Sequence, residues 1–219
     1  MTLLLKRIVK TENEPYLSLY FEISDGERTQ KKVLVIPEGR YFELKLKKGE
    51  ISEELFDILE NDAKECAAYR RGIGILAYGA NSSRMLERKL RQRGFDGESA
   101  RSAVGRLNEE GFIDESSDAA RLAESCAKKL WGERRIIAHL REKGYGNEAI
   151  YVAKDALAEV DFTENCRKLI EKKYKRFPKD KKEAEKAIAA LIRYGYSLSQ
   201  IKSASTKSKE AKAKPLTLS

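Results

Sequence analysis

The fold is decided by Leu90-Arg91-Gln92-Arg93-Gly94-Phe95 and its echo fifty residues downstream, Leu140-Arg141-Glu142-Lys143-Gly144-Tyr145. The register holds on both sides of this pair. Arg84 aligns with Arg134, Leu86 with Ile136, Glu98 with Glu148, Ala103 with Ala153, Leu107 with Leu157 and Phe112 with Phe162. A weaker third copy, Leu191-Ile192-Arg193-Tyr194-Gly195-Tyr196, follows after a further 51 residues and brings Ile201 onto Ile150. Self-similarity at such a period is the signature of stacked supersecondary units.

The middle copy shows what one unit is made of. A first helix is expected from about Asp118 to Trp131, stopping at Gly132, and a second from Glu133 to Lys143 with Ile136, Ile137 and Leu140 as its apolar stripe. Gly144 then stands where a helix end wants a left-handed residue, and Tyr145 closes the apolar contact behind it. A third helix begins after Asn147 and carries Ile150, Ala153 and Leu157 on one side. In the last copy Ser197 and Gln200 form a capping box, and Asp180 with Glu183 a similar start. Helices this short bury little alone, so neighbouring units must share surface. The expected fold is mainly α: three tandem three-helix repeats, at 52–114, 115–162 and 163–204, in an elongated, curved array.

Outside the repeats the pattern changes. Tyr16 to Ile23 and Lys32 to Ile36 are rich in strand formers and are joined across Asp25-Gly26, a strong turn signal. Leu3 to Val9 and Phe42 to Leu46 supply further short strands, so residues 1–51 read as a small β-hairpin or sheet. Ser52-Glu53-Glu54 opens the first helix with a capping hydroxyl and two carboxylates at its positive end. From Ser203 the chain alternates Ser, Lys, Ala and Thr with almost no large apolar residue, so fraying is expected there and a disordered basic tail over 205–219.

Several function classes are excluded by what the chain lacks. No apolar run approaches the roughly 18 residues of a membrane span, and Met1 to Lys6 lacks the basic start and small-residue cleavage site of a secretory signal. Cys66, Cys126 and Cys166 stand apart with no metal-ligand spacing, as expected of reduced thiols in a cytoplasm. His139, the single histidine, lies inside a helix with no nucleophile motif to serve. Carboxylates are spaced as helix-surface ion pairs, such as Glu87 with Arg91. The glycine-rich run Gly72 to Gly79 lacks the Lys-Ser/Thr of a phosphate loop and follows a helix instead of a strand. No enzyme activity, cofactor or metal is expected.

Charge is the informative remainder. The net charge of +9 is unevenly placed: residues 1–165 carry 28 basic against 30 acidic side chains, and residues 166–219 carry 16 against 5. Such a field draws polyanions or acidic protein surfaces. Arg84, Arg88 and Arg91 fall at i, i+4 and i+7 on one face of the first repeat's second helix, away from Met85, Leu86 and Leu90. Arg134 and Arg141 repeat two of those positions, with Arg135 and Lys143 beside them. The third repeat has Glu185 in the first position, and offers instead Lys172, Lys173, Lys175 and Arg176 around Tyr174. Aligned guanidinium rows on stacked units would form a ridge suited to phosphates or carboxylates.

The combination of Ser83-Arg84-x-Leu86-x3-Leu90-x2-Arg93-Gly94-Phe95, Leu107-x3-Gly111-Phe112-Ile113-Asp114, Ala119-Ala120-Arg121-Leu122-Ala123 and Gly132-x-Arg134-Arg135-Ile136-x3-Leu140-x2-Lys143-Gly144-Tyr145 resembles the RecX family of bacterial regulatory proteins, over roughly residues 65–200. The resemblance implies three tandem three-helix units in a modulator of the RecA recombinase. Such a protein would lie in the groove of the RecA–DNA filament and restrain ATP hydrolysis, strand exchange and repressor cleavage, and so DNA repair, recombination and the SOS response. The family's second aspartate is Glu115 here, and the equivalent turn in the second unit, Val160-Asp161-Phe162-Thr163, has lost its glycine. On this reading the partner is the RecA filament, with DNA met weakly or through it by a monomeric chain. The contact residues are Arg84, Arg88, Arg91, Arg134, Arg135, Arg141, Lys143, Lys172, Lys173, Lys175 and Arg176. The alternative is an autonomous nucleic-acid-binding helical repeat that needs no recombinase.

Overall fold

Alternating apolar residues set the start of the chain into a sheet. The computed structural model describes residues 2–10 and 14–210, with side chains to Thr206. In it β1 (Thr2–Lys10), β2 (Tyr16–Ser24) and β3 (Thr29–Pro37) run antiparallel, and the two-residue β4 (Gly49–Glu50) adds to β1, giving the order β3-β2-β1-β4. The β2–β3 turn is fixed by Asp25, whose Oδ1 accepts the backbone N–H groups of Glu27 and Arg28 at 3.1 and 2.9 Å, with Gly26 at φ +98°. Leu3, Leu5, Leu17, Leu19, Phe21, Leu34 and Ile36 form the buried face.

The sequence reading placed a strand at Phe42–Leu46, and the structure corrects it. A short helix, α1 (Glu38–Glu43), follows Pro37, and Lys45 turns the chain at φ +47°. Proline's fixed φ of −60° here suits a helix start, so strand-forming side chains are overruled by the need to reverse direction. Leu46 still drops into the sheet core.

Helix α2 (Glu53–Leu76) begins as expected, Ser52 Oγ accepting the Leu55 N–H at 3.2 Å. Its 24 residues join two cores. Phe56 and Leu59 close the sheet, Phe56 meeting Phe21 edge-on at 5.1 Å, and Ala68, Tyr69 and Ile75 pack with α3 (Ser83–Arg91) and α4 (Gly97–Glu109). The glycine run is helix to Leu76 and turns at Gly79, φ +150°; a Cβ at Gly72 would sit 2.6 Å from Leu107 Cδ1, so that glycine admits α4.

The chain divides into two compact units, Met1–Ile113 and Asp114–Ser219. The second holds α5 (Glu115–Lys128), α6 (Glu133–Glu142), α7 (Asn147–Ala156), α8 (Phe162–Tyr174), α9 (Lys181–Arg193) and α10 (Leu198–Glu210). α5 starts three residues earlier than its apolar pattern suggested, because Asp114 caps it through the Ser117 N–H. The expected fraying from Ser203 is also overruled. The Ser197–Gln200 box starts α10, Ile201 and Ala204 are buried, and the helix reaches Glu210. Residues 211–219 of the expected tail lie outside the described residues.

The recurring glycines do what their spacing implied. Gly94, Gly144 and Gly195 have φ of +91°, +85° and +94°. Phe95, Tyr145 and Tyr196 each donate their N–H to the carbonyl five residues back, of Leu90, Leu140 and Leu191, so one helix-ending motif occurs three times. One core runs through all six helices of the second unit, from Ala119 and Ile136 to Leu191, Tyr196 and Ile201. At its centre two backbones touch. Gly132 N–H donates to Tyr194 O at 2.7 Å, Tyr196 Oη donates to Leu130 O at 2.8 Å, and a Cβ on Gly132 would lie 2.4 Å from Gly195 C. Gly132 precedes α6 without a capping side chain for this reason: the approaching chain occupies the space and accepts the N–H.

The three thiols are buried and unbridged. Burial pushes Cys66 and Cys166 from the ordinary 9 up to about 11. Each thiol keeps its proton more tightly folded than unfolded, so stability is complete below pH 9 and is lost as pH rises through 11. The denaturant midpoint is expected to fall between about pH 8 and pH 10.5, and to fall less in Cys66→Ala/Cys166→Ala. Identical pH slopes for the two proteins would refute the assignment.

Candidate cationic binding surfaces

Amphipathic α3 buries Leu86 and Leu90 completely, which turns Arg84, Arg88 and Arg91 outward. The three are exposed and line one open groove of about 600 Å³ together with Glu87 and Gln92. The anticipated Glu87–Arg91 ion pair does not form; none of the three guanidiniums has a carboxylate partner among the described residues, and Arg88 reaches only Met85 Sδ at 3.0 Å. Glu87 is half-buried and lines the same groove, but no ion pair joins it to Arg91. Unneutralised arginines on a rigid helix keep their planar donor forks for an external oxyanion.

In the second unit the candidates divide. Arg134 and Arg141 are exposed on α6, and Lys143 is exposed at its C-cap. Arg135 is half-buried and committed inside the fold. Its guanidinium carbon lies 3.8 Å from the centre of the Trp131 ring and 5.0 Å from that of Tyr194, while Lys173 Nζ sits 4.3 Å from the same Tyr194 ring. Lys173 and then Arg135 stabilise the phenolate, so the Tyr194 hydroxyl is held below its usual range. Two residues read as partner contacts thus meet on one tyrosine and tie α6, α8 and α9 together. Lys172, Lys175 and Arg176 remain exposed at the end of α8, where Lys175 takes φ +58°. Phe177 beside them packs on the core and fixes the segment.

Trp131 and Tyr194 show no functional pattern in the sequence beyond their places beside Gly132 and Gly195. A lone Trp next to Gly132 was the available signal, but its partner stands 63 residues away. His139 is a packing residue: it meets Trp131 edge-on at 5.3 Å and lies 3.5 Å from Glu142 Oε2. Other arginines are also internally spent. Arg106 stacks on Tyr69 at 4.1 Å and binds Glu110 at 2.7 Å; the Tyr69 hydroxyl also donates to Glu110, and burial followed by that carboxylate pushes it up to about 12. Arg167 is clamped by Glu164 and Glu171. No group of three His, Cys, Asp or Glu side chains suited to a metal occurs among the described residues, and none of their helices is long and apolar enough to cross a membrane.

Comparison with known proteins finds similar chains and folds. Residues 68–107 match the family model described as "RecX, first three-helix domain", and residues 159–204 that of "RecX, third three-helix domain". The chain is 35% identical over 142 residues to the regulatory protein RecX of Xanthomonas axonopodis pv. citri, covering 64% of this chain and 87% of that one. It is 33% identical over 134 residues to the regulatory protein RecX of Stenotrophomonas maltophilia, covering 61% and 82%. Among solved structures, a regulatory protein RecX superposes with a TM-score of 0.70 at 23% identity, over 91% of this chain and 98% of the other. RecX from Lactobacillus salivarius gives 0.56 at 19%, over 67% and 97%.

Proposed function

The chain belongs to the RecX family of regulatory proteins, and from that premise we propose that it restrains the RecA recombinase. It acts as a monomer in the cytoplasm, binds in the groove of the RecA–DNA filament, and slows ATP hydrolysis and strand exchange without chemistry of its own. The observation that carries this reading is the α3 row: Arg84, Arg88 and Arg91 are exposed, without a carboxylate partner among the described residues, and gathered on one groove. A filament groove is lined by protein and DNA phosphate, and bidentate guanidinium donors are suited to phosphates and to protein carboxylates. Arg134, Arg141 and Lys143 on α6 offer a second cationic face of the same kind. Arg135 and Lys173 support binding indirectly, by holding the helices that carry these faces.

The second reading, autonomous nucleic-acid binding, is favoured by one feature: Lys172, Lys175 and Arg176 stand exposed around half-buried Tyr174. One titration separates the two. Added to RecA on single-stranded DNA, the protein is expected to lower ATPase well below one copy per recombinase protomer. No effect at equimolar protein overturns the first reading. DNA binding without recombinase that falls steeply with salt, and is lost when Lys172, Lys175 and Arg176 are changed to Gln, would establish the second.

A further inference from the structure

The two edges of the N-terminal sheet are not alike. On the β1 side the edge is broken up: the β1–β2 register shifts between Leu5 and Arg7, β4 pairs through only Leu4↔Glu50 and Leu5↔Gly49, and the Ile51 N–H continues to Leu3 O at 3.0 Å. On the other side β3 is paired with β2 without interruption from Ser24↔Thr29 to Tyr16↔Pro37, and no strand lies beyond it among the described residues. Its only proline is its last residue. Antiparallel geometry leaves about half of the backbone N–H and C=O groups of such a strand directed away from its neighbour. Natural sheets shorten, bulge, cover or charge edges of this length unless another strand is to join them; this edge has charge alone, and all of one sign, from Arg28, Lys31 and Lys32.

Beside this edge runs a groove of about 390 Å³ between β3, α2 and the turn after α3, lined by Lys32, Leu34, Ala63, Ala67, Gly94 and Phe95. Most of its charged borders are engaged, although Lys64, which also lines it, is exposed and reaches only Asn61 Oδ1 at 3.4 Å. Lys32 is bonded to Glu60 with its ammonium 5.7 Å from the Phe56 ring centre, and Asp96 accepts the Ser99 N–H at 2.8 Å. On the opposite face of β3, Val33 is 50% exposed. Arg28 and Lys31 are exposed and have no carboxylate partner among the described residues: Glu22, which stands opposite Lys31, is taken by Lys6 at 3.3 Å.

We propose that the β3 edge receives an extended, acidic segment of a partner protein as a fifth strand. Main-chain hydrogen bonds hold the segment, alternate aliphatic side chains enter the groove, and its carboxylates meet Arg28 and Lys31. A second copy of this chain fits poorly, because two facing β3 edges would bring Arg28 and Lys31 of both copies into one sheet with nothing to neutralise them. The proposal uses none of the arginines assigned to the recombinase and is independent of that reading.

The test needs no recombinase. A fluorescein-labelled nine-residue peptide alternating Asp or Glu with Val or Leu is titrated into the full-length protein and followed by anisotropy and by amide exchange. A peptide of the same composition with proline at alternate positions sets the baseline. Saturable binding that slows exchange of the β3 amides is expected. Ala67→Trp, a filling of the groove at an exposed helix position, should weaken it about tenfold, and Arg28→Glu/Lys31→Glu by a similar factor, with unchanged circular dichroism. The proposal is overturned by absent protection of β3, by unchanged affinity in both variants, or by equal competition from a single-stranded oligonucleotide of the same charge. It is equally overturned by self-association of the protein that protects β3 without peptide.

Discussion

Gly195→Ala is expected to destabilise the second unit by about 3–5 kcal/mol, whereas Gly94→Ala at the equivalent place in the first repeat should cost only about 1 kcal/mol. Both glycines end a helix at nearly the same left-handed φ, +94° and +91°. The backbone strain of a side chain is therefore common to both, and what differs is the space. A Cβ at Gly94 meets nothing within 4 Å, while one at Gly195 would lie 2.5 Å from Arg135 N and 2.7 Å from Gly132 O. Those neighbours are backbone at the start of α6 and cannot rotate aside, so the two chains must part. Separation also breaks the Gly132 N–H to Tyr194 O and Tyr196 Oη to Leu130 O hydrogen bonds. Trp131, the single tryptophan, sits beside this contact and reports the loss directly. Denaturant melts should show the Trp131 transition moved far down by Gly195→Ala and left in place by Gly94→Ala. A Gly195→Ala shift no larger than the roughly 1 kcal/mol that the left-handed φ alone costs would mean that the contact contributes nothing.

Reversing Arg84, Arg88 and Arg134 together to Glu is expected to weaken inhibition of the RecA filament about tenfold or more, with stability changed by no more than about 0.5 kcal/mol per site. All three are exposed, and none is held by a carboxylate among the described residues, so the described fold loses no ion pair. The partner, by contrast, would face three carboxylates where it met three guanidiniums. The contrasting control is Arg135→Glu, which removes the cation between Trp131 and Tyr194. That change should lower the melting transition, so its effect on inhibition follows from damage to the unit. If the triple variant inhibits as well as the unaltered protein, the binding face lies elsewhere on the molecule.

What was legible in the sequence was local. The left-handed glycines at 94, 144 and 195, the Ser52 cap and the Ser197–Gln200 box each depend on a few consecutive residues, and each stands as the spacing implied. The outward turn of Arg84, Arg88 and Arg91 followed from the burial of Leu86 and Leu90 at helical period. Misreadings arose where a distant contact or a chain reversal outweighed local preference. Phe42 to Leu46 has the side chains of a strand but stands where the chain must turn between Pro37 and β4. The helix through Ser203 has little apolar surface of its own, yet Ile201 and Ala204 find a core assembled by α8. Arg135 was indistinguishable from Arg134 by composition, and only the arrival of Tyr194 from 59 residues away separates a structural cation from a surface one.

The continuous core of the second unit bears on how such a chain can have been copied and recombined. A duplication that inserted one further fifty-residue module between α7 and α8 would separate Gly132 from Gly195 and leave two raw apolar walls. A chimaera is therefore expected to fold best when the last six helices are exchanged together, across the Ile113–Asp114 junction.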